Sequence, residues 1–170
     1  MIQFNSNEFA PYYETYVSKA LLHLDIVNGL EMQEQEIASF FKEIPLEKQE
    51  YSYKEGKWTP KDILLHLIDA ERIFVYRALR ISRNDATPLA GFEENDYVPT
   101  AKANDRTMAN LIEEYLAVRK ASISFFKNVT QEQLTRVGVA SNHSVSVRAI
   151  GYIILGHEKH HLSVIKERYL

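Results

Sequence analysis

Apolar residues recur in steps of three and four through four long stretches of the chain, the period of helices that bury one face. The first covers residues 25–44, with Ile26, Leu30, Ile37, Phe40, Phe41 and Ile44 on the periodic positions, and Pro45 stops it. The second opens at "WTPKD", where Thr59 is a good N-cap, Pro60 suits the first helical position and Asp62 sets a carboxylate near the positive end of the helix dipole. Its pattern continues through "ILLHLIDAERIFVYRALRIS" to about residue 82. The third spans residues 107–128, with Leu111, Tyr115, Val118, Ser122 and Phe125 along one stripe. The fourth starts after Ser146 and runs nearly to the last residue. A further short turn of helix is expected after Thr130, where "TQEQ" reads as a capping box. Strand-like alternation is confined to short pieces around "TRVGVA".

Four amphipathic helices of about 20 residues each predict an all-α four-helix bundle, and no repeat, low-complexity tract or linker divides residues 1–170 into more than one domain. Residues 85–106, "DATPLAGFEENDYVPTAKANDR", are too many for a hairpin link between helices. With Phe92, Tyr97, Pro88 and Pro99, this segment reads as a long crossover loop between the second and third helices, passing over one end of the bundle and walling a pocket.

Composition changes this picture in three ways. A chain of 170 residues, 45% of them hydrophobic, can build a core without covalent staples. It has no apolar run as long as a membrane span, and its start, "MIQFNSNEFAPYYETY", lacks the basic stretch and apolar core of a signal peptide, so a cytoplasmic setting without membrane partners is expected. The net charge of −3, with lysine and arginine scattered, argues against a nucleic-acid partner and leaves a small molecule as the expected substrate. Cysteine is absent. Any metal must then be held by His, Asp or Glu, and any thiol chemistry must use a thiol from outside the protein.

The chain ends "LGHEKHHLSVIKERYL", in which "HEKHH" fits the H-E-x-x-H pattern of zinc proteases. Along the fourth helix Val147, Ile150, Ile154, His157, His161, Val164 and Arg168 form a bundle-facing stripe. His157 and His161 lie about 6 Å apart along the axis and about 40° apart around it, so both imidazoles can reach one point. On the second helix Ile63, His66, Ala70, Ile73, Arg77 and Ile81 form a similar stripe with His66 in a core slot. A lone inward histidine is more often a hydrogen-bonded core residue than a ligand, whereas burying a pair on one face has a desolvation cost that a metal offsets. The protease pattern needs a third ligand downstream, and the one available, Glu167, lies on the same helix and cannot fold back. A di-iron bundle needs two E-x-x-H motifs, and only Glu158 with His161 supplies one. A mononuclear site of His66, His157 and His161 remains, open to water or substrate. His160 points to the side, and His23 and His143 have no helical partner.

With these motifs in place, "NEFAPYYETYV", "GKWTPKDILLHLIDAER", "DATPLAGFEENDYV" and "SVRAIGYIILGHEKHHLSVIKERY" together resemble the DinB/YfiT-like superfamily of bacterial metal-binding four-helix bundles, over nearly the whole chain. The resemblance implies a divalent ion, zinc or nickel, held by His66, His157 and His161. It also implies either a metal-dependent hydrolase or an S-transferase using a low-molecular-weight thiol such as bacillithiol. A non-catalytic metal- or ligand-binding bundle is the remaining alternative, and dimeric members make a homodimer the expected assembly. Weaker candidates surround the site. Asp69 is placed to orient an imidazole or to sit in solvent, and Glu158 to accept a proton or to pair with a cation on a neighbouring helix. Trp58 is expected to seal the start of the second helix, and Arg148, Arg77 and Lys61 are unranked as partners for a cofactor's carboxylates.

Overall fold

In the computed structural model, which describes residues 3–20 and 25–170, the long helices begin where a side chain can take up free backbone N–H groups of a first turn. A 3-10 turn at Pro11–Tyr13 leads into α1 (Glu14–Val17). Asp25 accepts from the Asn28 amide to start α2 (Ile26–Lys42), and α3 (Leu46–Gln49) follows Pro45. Thr59 and Asp62 form a reciprocal capping box at the head of α4 (Pro60–Ser82). After α5 (Glu94–Ala101), Thr107 caps α6 (Met108–Lys127), and Thr130 with Gln133 boxes α7 (Gln131–Leu134). The hairpin β1 (Val137–Ala140) and β2 (His143–Ser146) then delivers Ser146 as the cap of α8 (Val147–Arg168). The long helices α2, α4, α6 and α8 are the four periodic stretches.

Both α2 and α4 pack against α6 and α8, so the order around the bundle is α2, α6, α4, α8. Two apolar clusters give the helix directions. One gathers Phe41, Ile63, Leu64, Leu111 and Ile165, and the other Leu30, Phe74, Ile81, Phe126 and Ile150. The first halves of α4 and α6 therefore lie at one end, with the second halves of α2 and α8: α4 and α6 are parallel, and α2 and α8 run against them. Joining a parallel pair requires a return along the length of α4, ~34 Å for its 23 residues. The crossover between them does this. It leaves the end of α4, pairs Leu89 with the hairpin, lays α5 beside the first half of α4 and arrives where Asn104 meets Thr59.

Between the two clusters lies one polar side chain from each long helix: Gln33, Glu71, Arg119 and Glu158, all buried. Arg119 donates through Nε and Nη2 to the two Glu71 oxygens at 3.0 and 2.7 Å, through Nη2 to Glu158 at 2.5 Å, and through Nη1 to the Leu30 carbonyl. Gln33 donates to the Leu155 carbonyl. This layer corrects the stripe expected on α6: beyond Tyr115 the buried positions are Arg119, Ser122, Ile123 and Phe126, while Val118 and Phe125 are half-buried. An arginine holds a core position there because two carboxylates neutralise it. The stripe of α8 also shifts past His161, to Leu162, Ile165 and Tyr169, leaving Val164 half-buried and Arg168 exposed.

The N-terminal segment is bound to α8. Glu8 accepts from Ser146 Oγ and Arg148 Nε; against the upward push of burial, the hydrogen bonds from Arg148, Asn5 and Ser146 pull its pKa down to about 2. Farther along, a Cβ on Gly156 would fall 1.7 Å from the Tyr16 carbonyl oxygen. Only a glycine lets the α1 backbone ride this close to α8. Among the described residues no helix is long and apolar enough to cross a membrane.

Candidate metal centre

The contact between α4 and α8 decides what the histidines can do. His66, on the second turn of α4, meets His157 and His161, one turn apart on α8. His66 Nε2 and His161 Nε2 lie 3.0 and 3.1 Å from His157 Nε2. Among the described residues the three form a group whose ligand atoms all fall within 4.8 Å of one another. Burial pushes the His66 pKa down to about 4. It also holds His157 and His161 well below the usual histidine range, helped by the neighbouring imidazoles. All three rings are therefore neutral near pH 7, the form a metal requires.

Hydrogen bonding alone does not account for this arrangement. A neutral imidazole nitrogen either donates one proton or offers one lone pair. His157 Nε2 faces two nitrogens and can serve only one of them well. A divalent cation between the rings uses all three lone pairs, and metal–nitrogen bonds of ~2.0–2.1 Å place adjacent nitrogens roughly 3 Å apart. The donor set fits such an ion.

The histidines form one side of a cavity of about 320 Å³. Trp58 covers them, its ring 4.8 Å from that of His66 and stacked 6.3 Å from that of His161. Tyr16 sets its ring edge 5.0 Å from His157, and Phe74 stands 6.0 Å from it on the other side. Tyr12, Tyr13 and Phe92 extend the aromatic wall, and Arg77, Glu94 and Ser141 are its remaining polar lining. Burial, with the charge of Glu94, raises the Tyr16 pKa, so that phenol stays protonated.

The other sequence candidates separate. Glu158 turns away into the Arg119 layer, where burial raises its pKa against the pull of Arg119. It pairs with a neighbouring helix and does not line the histidine cavity. Asp69 bonds to Arg72 at 3.5 Å and lines a small recess under α5 with His66, without a hydrogen bond to an imidazole. His160 touches the His161 and Tyr16 rings at the rim, and the exposed His143 meets Tyr12. His23 lies outside the described residues. Trp58 does accept from the Tyr169 hydroxyl at the start of α4, as a seal would, yet its indole also walls the cavity. Lys61 is taken by Glu50 and Arg148 by Glu8, whereas Arg77 lies in the cavity wall.

Four lining residues carried no functional signal in the sequence. Tyr16, Phe74 and Glu94 lie in stretches whose local pattern singles out none of them. Ser141 sits at a two-residue hairpin tip where it and Asn142 have φ of 51° and 65°. A Ser-Asn pair between two short alternating runs is a turn signal, but it does not reveal which cavity the turn enters.

In a comparison with solved structures the chain is similar to YfiT from Bacillus subtilis, described as a probable metal-dependent hydrolase with an unusual four-helix bundle topology. The TM-score is 0.75 at 11% identity, covering 98% of this chain and 90% of that one. At that identity the likeness concerns the fold. Among curated protein sequences none matches. The family model of the DinB superfamily matches residues 30–165, which include all four long helices but for the first residues of α2 and the last of α8. By this match and its bundle, the chain belongs to the DinB superfamily.

Proposed function

We propose that this protein is a divalent-metal-dependent enzyme acting on small molecules, with His66, His157 and His161 holding one zinc or nickel ion, and that it transfers a bacillithiol-type thiol to an electrophile. The observation that carries the reading is the meeting of three neutral Nε2 atoms at 3.0 and 3.1 Å, that of the buried His157 between those of the half-buried His66 and His161, beside an aromatic cavity. A divalent ion there supplies Lewis-acid chemistry, favouring the deprotonated form of a bound thiol or water at neutral pH. The chain has no cysteine, so the sulfur nucleophile comes from the cofactor. In the transfer the thiol sulfur bonds to the electrophilic carbon, the leaving group departs with the bonding pair, and the thiol proton passes to solvent. Trp58, Tyr16 and Phe74 hold the imidazoles and exclude water around them.

Hydrolysis is the second reading. In this reading Glu94, the carboxylate lining the cavity, takes the proton from water, and the similar YfiT has been described as a probable hydrolase. The test is reconstitution with zinc or nickel, elemental analysis, and parallel assays of a chlorodinitrobenzene-type electrophile with added thiols and of an activated ester. Thiol-dependent product that is lost in His66→Ala and His161→Ala supports transfer. Ester cleavage that needs no thiol and drops in Glu94→Gln supports hydrolysis instead. Bound metal without turnover of either kind leaves a binding protein, and failure to retain metal after reconstitution would sink the metal reading.

A further inference from the structure

A positive charge at the far side of the cavity has no counter-charge paired with it among the described residues. Arg77 is only 3% exposed, on the fifth turn of α4. Its Nη2 donates to the Ala90 carbonyl at 2.9 Å and to Ser141 Oγ at 3.0 Å, and its guanidinium stands 5.7 Å from the Phe92 ring centroid. Each of these partners is neutral. Glu94 lines the same cavity, but no carboxylate among the described residues forms an ion pair with Arg77. The contrast with the other buried cations is sharp: Arg119, equally buried, has two carboxylates, and Lys61 has one. Burying an uncompensated guanidinium is costly, and proteins accept this where a ligand completes the pair. A guanidinium has five N–H donors in a fork that suits carboxylates and phosphates; with two bonds through Nη2 and the neutral Tyr13 hydroxyl as a further partner, donors are still left to offer.

Place and shape point the same way. Arg77 and Phe92 belong both to the wall of the histidine cavity and to that of a second hollow of about 350 Å³ beside it, lined by Ile73, Tyr76, Pro88 and Leu89. The crossover supplies Ala90 and Phe92, and the hairpin tip supplies Ser141. Three separate parts of the chain thus converge to hold one cation at the junction of two hollows.

We infer that Arg77, anchored by Ala90 and Ser141, is an anion-binding subsite that takes the carboxylate or phosphate-type head of a small organic molecule whose apolar body lies among the aromatic residues beside the histidines. The inference deepens the proposed function by naming the substrate class as organic anions. It rests on that reading for the reaction but not for the binding. Trp58, the sole tryptophan, lines the cavity and reports on occupancy through its fluorescence.

The full-length protein, with and without one equivalent of zinc, would be titrated with phenylacetate, benzylphosphonate and the neutral phenylacetamide. At least one anion is expected to bind roughly tenfold more tightly than the amide, in line with a charge-assisted fork. Which of the two binds more tightly distinguishes a carboxylate from a phosphate-type head. Arg77→Gln should erase the preference and Arg77→Lys restore part of it, with circular dichroism melts confirming the fold. Ser141→Ala, which removes an anchor but no charge, should weaken anion binding and leave amide binding unchanged, so the inference stays testable if Arg77→Gln does not fold. Equal binding of all three probes, no binding of any, or a preference that survives in folded Arg77→Gln overturns the subsite. Failure of the protein to take up zinc while the anion preference persists would overturn the metal reading and leave the subsite standing.

Discussion

At the scale of single residues, burial decides which titratable groups are available for chemistry. His66 is held at about 4 and His157 and His161 well below their usual range, mainly by burial. The unfolded chain therefore binds protons that the fold refuses, between about pH 4 and the ordinary histidine value near 6.5. Stability of the metal-free protein should rise with pH across that window and be lost as pH falls through it, and chemical-denaturation midpoints at several pH values check this. Glu158 is a second case. Glu158→Gln should leave the bidentate Arg119–Glu71 pair intact and keep metal uptake at the wild-type level, since its carboxylate faces away from the histidines. Arg119→Met strands two buried carboxylates and should cost roughly 3–5 kcal/mol in denaturant melts. Metal loss on Glu158→Gln, with the fold intact, would return that residue to the site. The sequence offered Glu158 a cation on a neighbouring helix as one of two roles, and the structure supplies it as Arg119. Arg119 itself was not legible, because it lies beside the stripe the apolar residues suggest and only the partners from α4 and α8 explain its burial.

Among the elements, the N-terminal segment has the largest part in the cavity for its size. Tyr16 reaches His157, and Tyr12 and Tyr13 line the cavity, because the α1 backbone lies against α8 at Gly156. A methyl at Gly156 meets backbone rather than a yielding side-chain tip, so Gly156→Ala should push α1 away and cost about 1–3 kcal/mol as overpacking. It should also raise exchange of the α1 amides and expose Trp58 to a soluble quencher, whereas an unchanged quenching constant would contradict this placement. The long helices were readable as elements because their signals are local: periodicity, the Thr59–Asp62 box, Pro45 as a stop. Residues 85–106 were readable as a long crossover expected to pass over one end of the bundle and wall a pocket: Phe92 does wall the cavity, but the segment runs along α4 instead of across an end. Its path along α4 follows from α4 and α6 being parallel, which no local signal specifies.

For the whole molecule, the candidate centre joins two helices that are 91 residues apart at His66 and His157. A ligand binding there stabilises the entire fold by mass action, by about 2.7 kcal/mol at a free concentration one hundred times the dissociation constant. For a chain of this size that corresponds to a rise of roughly 5–11 °C in melting temperature. Zinc should produce such a rise in the wild type and none in His66→Ala or His161→Ala, as read by calorimetry with and without metal. A rise that persists in His66→Ala would mean that the α8 pair binds metal with some other partner.

What the sequence determined by itself is what short-range physics controls: four long helices, the core slots of His66, His157 and His161, and the lack of any cysteine thiolate to serve as metal ligand or nucleophile. Apolar periodicity and capping act within a few residues, so they leave their mark in a single linear reading. The tertiary structure alone decided the parallel course of α4 and α6, the polar layer around Arg119, and the separation of Glu158 from the histidines. It also decided the convergence of Tyr16, Glu94, Ser141 and Arg77 on one cavity. These depend on which helices become neighbours and on how buried charges find partners across the bundle, terms that act between residues distant in the chain and leave no period along it.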